Sequence, residues 1–67
     1  MTVEEIDKRV QAIRNLGAGE NEEKHRIEDA IHLDVLRYIA WNPGCNAAAL
    51  AAAAVKTDEI EFDRWYS

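Results

Sequence analysis

Three observations predict an all-α domain of three helices. Apolar residues recur at helical spacing in two long stretches, turns bearing glycine or proline divide the chain, and an alanine-rich run follows the second turn. The expected architecture is a helical hairpin plus an alanine-rich third helix, with an aromatic C-terminal tail. The helices are expected at about 2–16, 21–41 and 46–56, with a C-terminal turn at about 60–66, in a single domain over 1–67.

The first helix is signalled at Thr2, an N-cap candidate followed three residues later by Glu5, the capping-box spacing. Val3, Ile6, Val10 and Ile13 then recur at intervals of three and four, and Leu16 extends the row. That spacing lays one narrow apolar seam along a helix, close to a coiled-coil pattern but too short for an isolated coiled coil. Gly17 and Gly19 suit a helix C-cap and a turn.

The second helix is expected to start after Gly19 with Asn21 as N-cap. Glu22 and Glu23 fall in its first turn, where negative charge complements the helix dipole. Ile27, Ile31, Val35, Tyr38 and Ile39 share one sector, while Leu33, Leu36 and Ala40 lie elsewhere around the same helix. A helix apolar on several sides implies more than one neighbour, so this one is expected to be central, with Trp41 buried at its end. Asn42–Pro43–Gly44 stops it, because proline disfavours helix at the preceding residue and glycine supplies the turn.

Asn46 is the expected N-cap of the third helix, whose alanines surround Leu50. Alanine gives it high helix propensity and little area to bury, so it is expected to pack closely rather than extensively. Thr57–Asp58 reads as a break or a fresh cap. In the tail, Phe62, Trp65 and Tyr66 have i, i+3, i+4 spacing and are expected to fold back over an underfilled core, with partner contact as the competing role.

Composition limits the function classes. A 67-residue chain is one small domain and buries only about 60% of its unfolded surface, so reinforcement by a metal or a partner is expected. Cys45 is the only cysteine, which excludes an internal disulfide and fits a reducing compartment. No basic, apolar leader opens the chain, and the apolar run from Ala47 to Val55 is too short to span a bilayer. A cytoplasmic location with no membrane contact is expected. The net charge of −5 comes from two acidic segments, Glu20, Glu22, Glu23, Glu28, Asp29 and Asp34 against Lys24 and Arg26, and Asp58, Glu59, Glu61 and Asp63 against Arg64, a balance that argues against direct nucleic-acid binding.

Histidine and carboxylate one helical turn apart can form part of a metal site, which makes His25, Asp29 and His32 metal candidates. They occupy a wedge of about 60° that Leu36 continues one turn later, so its C-terminal end is expected to be covered. His25 and His32 nevertheless stand roughly 10 Å apart along the axis, so Cys45 or Asp63 would have to complete a site. The more ordinary expectation is a partly solvated face with His–Asp hydrogen bonds. Cys45 paired with a histidine would be a nucleophile, but a chain this small has little room for a pocket, and the glycines match no phosphate-binding pattern. Neither an enzyme nor a cofactor is expected.

Val3–Glu4–Glu5–Ile6, the central run His25–Arg26–Ile27–Glu28–Asp29–Ala30–Ile31–His32 with Val35–Leu36, and Phe62–Asp63–Arg64–Trp65 together resemble small uncharacterised proteins encoded by actinobacterial phages. The resemblance spans Thr2 to Ser67. It implies a protein that acts in the host cytoplasm by binding and redirecting a host protein, and it carries over no functional residues.

The expected function is therefore that of a small acidic, non-enzymatic protein-binding module. Glu22, Glu23, Glu28 and Asp29 would steer it toward a basic surface, with Arg37, Trp65 and Tyr66 as further contacts. Homo-oligomerisation is expected through the seam Val3, Ile6, Val10 and Ile13. Two alternatives differ in readout. An acidic nucleic-acid mimic would bind its host target with steep salt dependence, and a metal protein using His25, Asp29 and His32 would lose stability on chelation.

Overall fold

The computed structural model describes residues 1–17 and 19–60. Within them lie three α-helices, α1 (Val3–Arg14), α2 (Asn21–Trp41) and α3 (Ala47–Ala54), followed by a 3-10 turn over Val55–Glu59. The protein is all-α, with no strand among the described residues. No described helix is long and apolar enough to cross a membrane. The expected trailing turn beyond Ile60, with Phe62, Asp63, Trp65 and Tyr66, lies outside the described residues.

The capping box forms as its spacing dictates. The Glu5 backbone N–H donates to Thr2 Oγ1 at 3.1 Å, and the Thr2 N–H donates to Glu5 Oε1 at 3.0 Å. The helix ends earlier than expected, at Arg14, and without a glycine cap. Asn15 stays right-handed at φ −79°, and its N–H donates to the Gln11 carbonyl at 3.0 Å. Gln11 adds a side-chain bond to Asn15 Oδ1 at 3.1 Å.

The N-cap of α2 falls one residue before the expected one. Glu20 holds the N-cap position without a side-chain cap bond, and Asn21 is already helical. The Glu20 carboxylate is instead engaged by the Gly17 N–H at 3.3 Å. At the far end Asn42 Nδ2 donates to the Tyr38 carbonyl at 2.7 Å, and the chain reverses through Gly44 at φ +90°. That left-handed conformation is where glycine is needed. Asn46 Oδ1 then accepts the Ala49 N–H at 3.4 Å to start α3.

α3 stops at Ala54, short of the expected Lys56, and Thr57–Asp58 lies inside the 3-10 turn. Thr57 is fully buried, and its hydroxyl donates to the Ala54 carbonyl at 3.3 Å. A threonine that bonds back to the preceding turn competes with regular helix hydrogen bonding, which accounts for the tightening.

The core is Ile6, Val10 and Ile13 from α1, Ile31 and Val35 from α2, Leu50, Ala53 and Ala54 from α3, and Ile60. Each fully buried isoleucine contributes about 1.5–3 kcal/mol relative to exposure. Alanine at 53 and 54 lets α3 settle closely against its neighbours, as expected. All three helices pack against one another, so α2 is one side of a triangle rather than a central helix. Ion pairs tie the periphery: Arg9 to Asp34 at 2.9 Å, Lys56 to Asp7 at 3.1 Å and Arg14 to Glu59 at 3.8 Å. Exposed pairs of this kind are worth about 0–1 kcal/mol each.

Candidate docking surface

The triangular packing decides which side chains remain outside. One sector of α2 faces the core through Ile31 and Val35, and Lys24 and Glu28 continue the same sector toward the N-terminus, both buried. Neither of these two charged residues is without a partner. Glu28 therefore does not belong to an exposed acidic face, contrary to the sequence expectation, because its position on the helix turns it inward.

Two of the other acidic candidates have side-chain partners on α2. Arg26 donates to Glu23 through both Nε and Nη2, the former at 3.2 Å. The hydrogen bond from Arg26 holds the Glu23 carboxyl below the usual range, with its positive charge adding to the effect, and raises Arg26 in turn. Asp29 lies 3.3 Å from His25 Nδ1. Glu22 is exposed. Trp65 and Tyr66 lie outside the described residues.

His25 and Asp29 come together as their spacing predicts, but His32 does not join them. Its Nε2 lies 3.0 Å from Thr57 Oγ1 and 3.3 Å from the Ala54 carbonyl, so it ties α2 to the end of α3. Glu28 takes its place: donor atoms of His25, Glu28 and Asp29 lie within 4.8 Å of one another and could hold a metal ion. All three belong to adjacent turns of one helix, which leaves about half of a coordination sphere to water.

The expected self-association seam is not a surface. Ile6, Val10 and Ile13 are buried in the core, with Val3 packed beside them, so that apolar stripe is already used within the monomer. The expectation failed because a seam records apolar periodicity without saying which neighbour covers it.

The apolar surface is instead on the far side of α2. Leu33 is 47% exposed, Leu36 64% and Trp41 75%. The expected cover over Leu36 and burial of Trp41 are thus both corrected: α1 and α3 occupy only the Ile31–Val35 side. Leu33, Leu36, Arg37, Ala40 and Trp41 follow i, i+3, i+4, i+7, i+8 spacing and make a second stripe. Arg37 is exposed within it and has no ionic partner among the described residues. The signal was in the sequence as the apolar residues outside the main sector.

A groove beside the 3-10 turn is lined by Asp7, Val10, Gln11, Arg14 and Lys56. Its cations are already matched by Asp7 and Glu59. Cys45, partly buried, packs against the core. Comparison with known protein families, curated proteins and solved structures finds no match to this chain.

Proposed function

We propose that this chain is a non-enzymatic protein-binding module that acts through the outward stripe of α2. The observation that carries the reading is the exposure of Leu33, Leu36 and Trp41 along one helix that also carries Arg37, which has no ionic partner among the described residues. Contiguous large apolar residues at the surface mark interaction sites, and tryptophan and arginine are common binding anchors. Binding is favoured over catalysis because the charged groups of the groove beside the 3-10 turn neutralise one another. A host protein with a basic surface remains the partner implied by the phage resemblance, with Glu22 as the acidic group best placed to meet it.

A photo-crosslinker installed at Leu36 tests the reading against the same probe at exposed Gln11 on α1. Protein adducts from position 36, suppressed by excess unmodified chain and absent from position 11, are expected. Equal labelling from both positions, or none, contradicts it.

A further inference from the structure

We propose that the occupant of this stripe is a second copy of the chain, with the two α2 helices antiparallel about a two-fold axis at Leu33. The inference rests on the protein-binding reading and names its partner. It follows from how the stripe reads in each direction from Leu33. Asp29 lies four residues before it and Arg37 four after; Ala30 lies three before it and Leu36 three after. An antiparallel pair therefore sets Asp29 against Arg37 of the second copy, and Arg37 against that copy's Asp29. Ala30 and Leu36 fall on opposite flanks of the pair, Ala30 beside Arg37 of the second copy and Leu36 beside that copy's Asp29. Arg26 falls opposite Ala40, beside Trp41, within reach of a cation–π contact.

The groups needed for these contacts are accessible. The Asp29 side chain is 65% exposed despite its bond to His25, and one carboxylate oxygen is left to accept from a guanidinium. Arg37 has no competing carboxylate among the described residues. A parallel pair would instead place Asp29 on Asp29 and Arg37 on Arg37, which repel. The contact is isologous, so one patch serves both copies and assembly closes at two. From Arg26 to Ala40 the stripe runs about 21 Å. That is short against the roughly 800 Å² per partner of a stable interface, so the dimer is weak and concentration-dependent.

Sedimentation of the full chain from about 10 μM to 1 mM reads the association directly. Asp29→Arg and Arg37→Asp are each expected to weaken it about tenfold or more, because each sets like charges face to face. An equimolar mixture of the two variants restores both opposite-charge contacts and is expected to recover association to within about threefold of the original. Leu36→Glu, at an exposed site, keeps its helicity in dilute solution and stays monomeric. Association that ignores the single reversals, or a wild-type chain that is monomeric throughout, overturns the inference. Crosslinks from position 36 separate the two readings. Adducts of dimer mass support the second copy, and adducts to residues 61–67 of the same chain overturn it. Adducts to a different protein overturn the second copy while leaving the protein-binding reading in place, and the absence of any adduct overturns both.

Discussion

His32 on α2 and Thr57 in the 3-10 turn meet at 3.0 Å across 25 residues of sequence, and the Thr57 hydroxyl also donates to the Ala54 carbonyl at 3.3 Å. That chain of bonds is satisfied when His32 Nε2 carries the proton. With Nε2–H donating to Thr57 Oγ1 and the hydroxyl donating onward, every partner is matched. A bare Nε2 would instead face the Ala54 carbonyl at 3.3 Å, lone pair to lone pair.

Thr57→Val keeps the shape and removes the hydroxyl, which withdraws the buried bond between α2 and the end of α3. We expect a loss of about 1–2 kcal/mol, because the His32 donor loses its nearer acceptor in a site with no water exposure at Thr57. Urea unfolding should show a lower midpoint with an unchanged slope; an unchanged midpoint would mean that the bond contributes nothing.

Ile13 is fully buried where α1 meets the core. Ile13→Val should cost about 0.5–1.5 kcal/mol and Ile13→Ala about 2–5 kcal/mol. At roughly 0.05–0.15 kcal/mol per residue the 67-residue domain holds about 3–10 kcal/mol. The alanine variant should therefore lose a large share of its stability and unfold at a markedly lower urea concentration by circular dichroism, while the valine variant stays close to the original; equal midpoints for the two would contradict the placement of Ile13.

Gly44 tests the turn between α2 and α3. A methyl group there would meet nothing within 4 Å, so Gly44→Ala isolates the backbone strain of φ +90°. We expect a loss of about 1–2 kcal/mol, read as a fall in thermal midpoint of about 4–8 °C per kcal/mol. No change in midpoint would show that the turn relaxes freely.

How much of this was legible depends on distance along the chain. The capping box at Thr2 and Glu5 and the stop at Asn42–Gly44 are local devices, and the structure forms both. The α1 seam was readable as apolar periodicity, but its partner was not, which is why residues assigned to self-association proved to be core. Glu28 was misplaced for a similar reason, and the burial of Lys24 beside it was not foreseen. Charged residues are rarely buried, so composition pointed outward while helical phase put them on the Ile31–Val35 side. Leu33, Leu36 and Ala40 were visible as apolar residues outside the main sector and Trp41 was expected in the core, yet only the packing of α1 and α3 shows which side stays uncovered. The His32–Thr57 bond joins distant segments, and no local pattern announces it.

Glu23 gives a pH-dependent component of stability. Its carboxyl is held below its ordinary value of 4.5 by the hydrogen bond from Arg26. A lowered folded value means that the contribution is complete above the unfolded value and fades as pH falls through the folded one. Comparing unfolding midpoints of the wild type and Glu23→Gln should show a difference at pH 6 that shrinks below about pH 4.5. The site is exposed, so the difference should be small and weaken in salt. A gap that widens on acidification would reverse the assignment.

The most direct measurement of the central claim is sedimentation equilibrium on the unmodified chain over increasing concentration. Burial of Ile6, Val10 and Ile13 inside the monomer, with Leu33, Leu36 and Trp41 left outside, predicts a weight-average mass that climbs toward twice the 7.6 kDa of one chain. The climb should disappear in Leu36→Glu. A mass fixed at that of a single chain at every concentration would contradict the account.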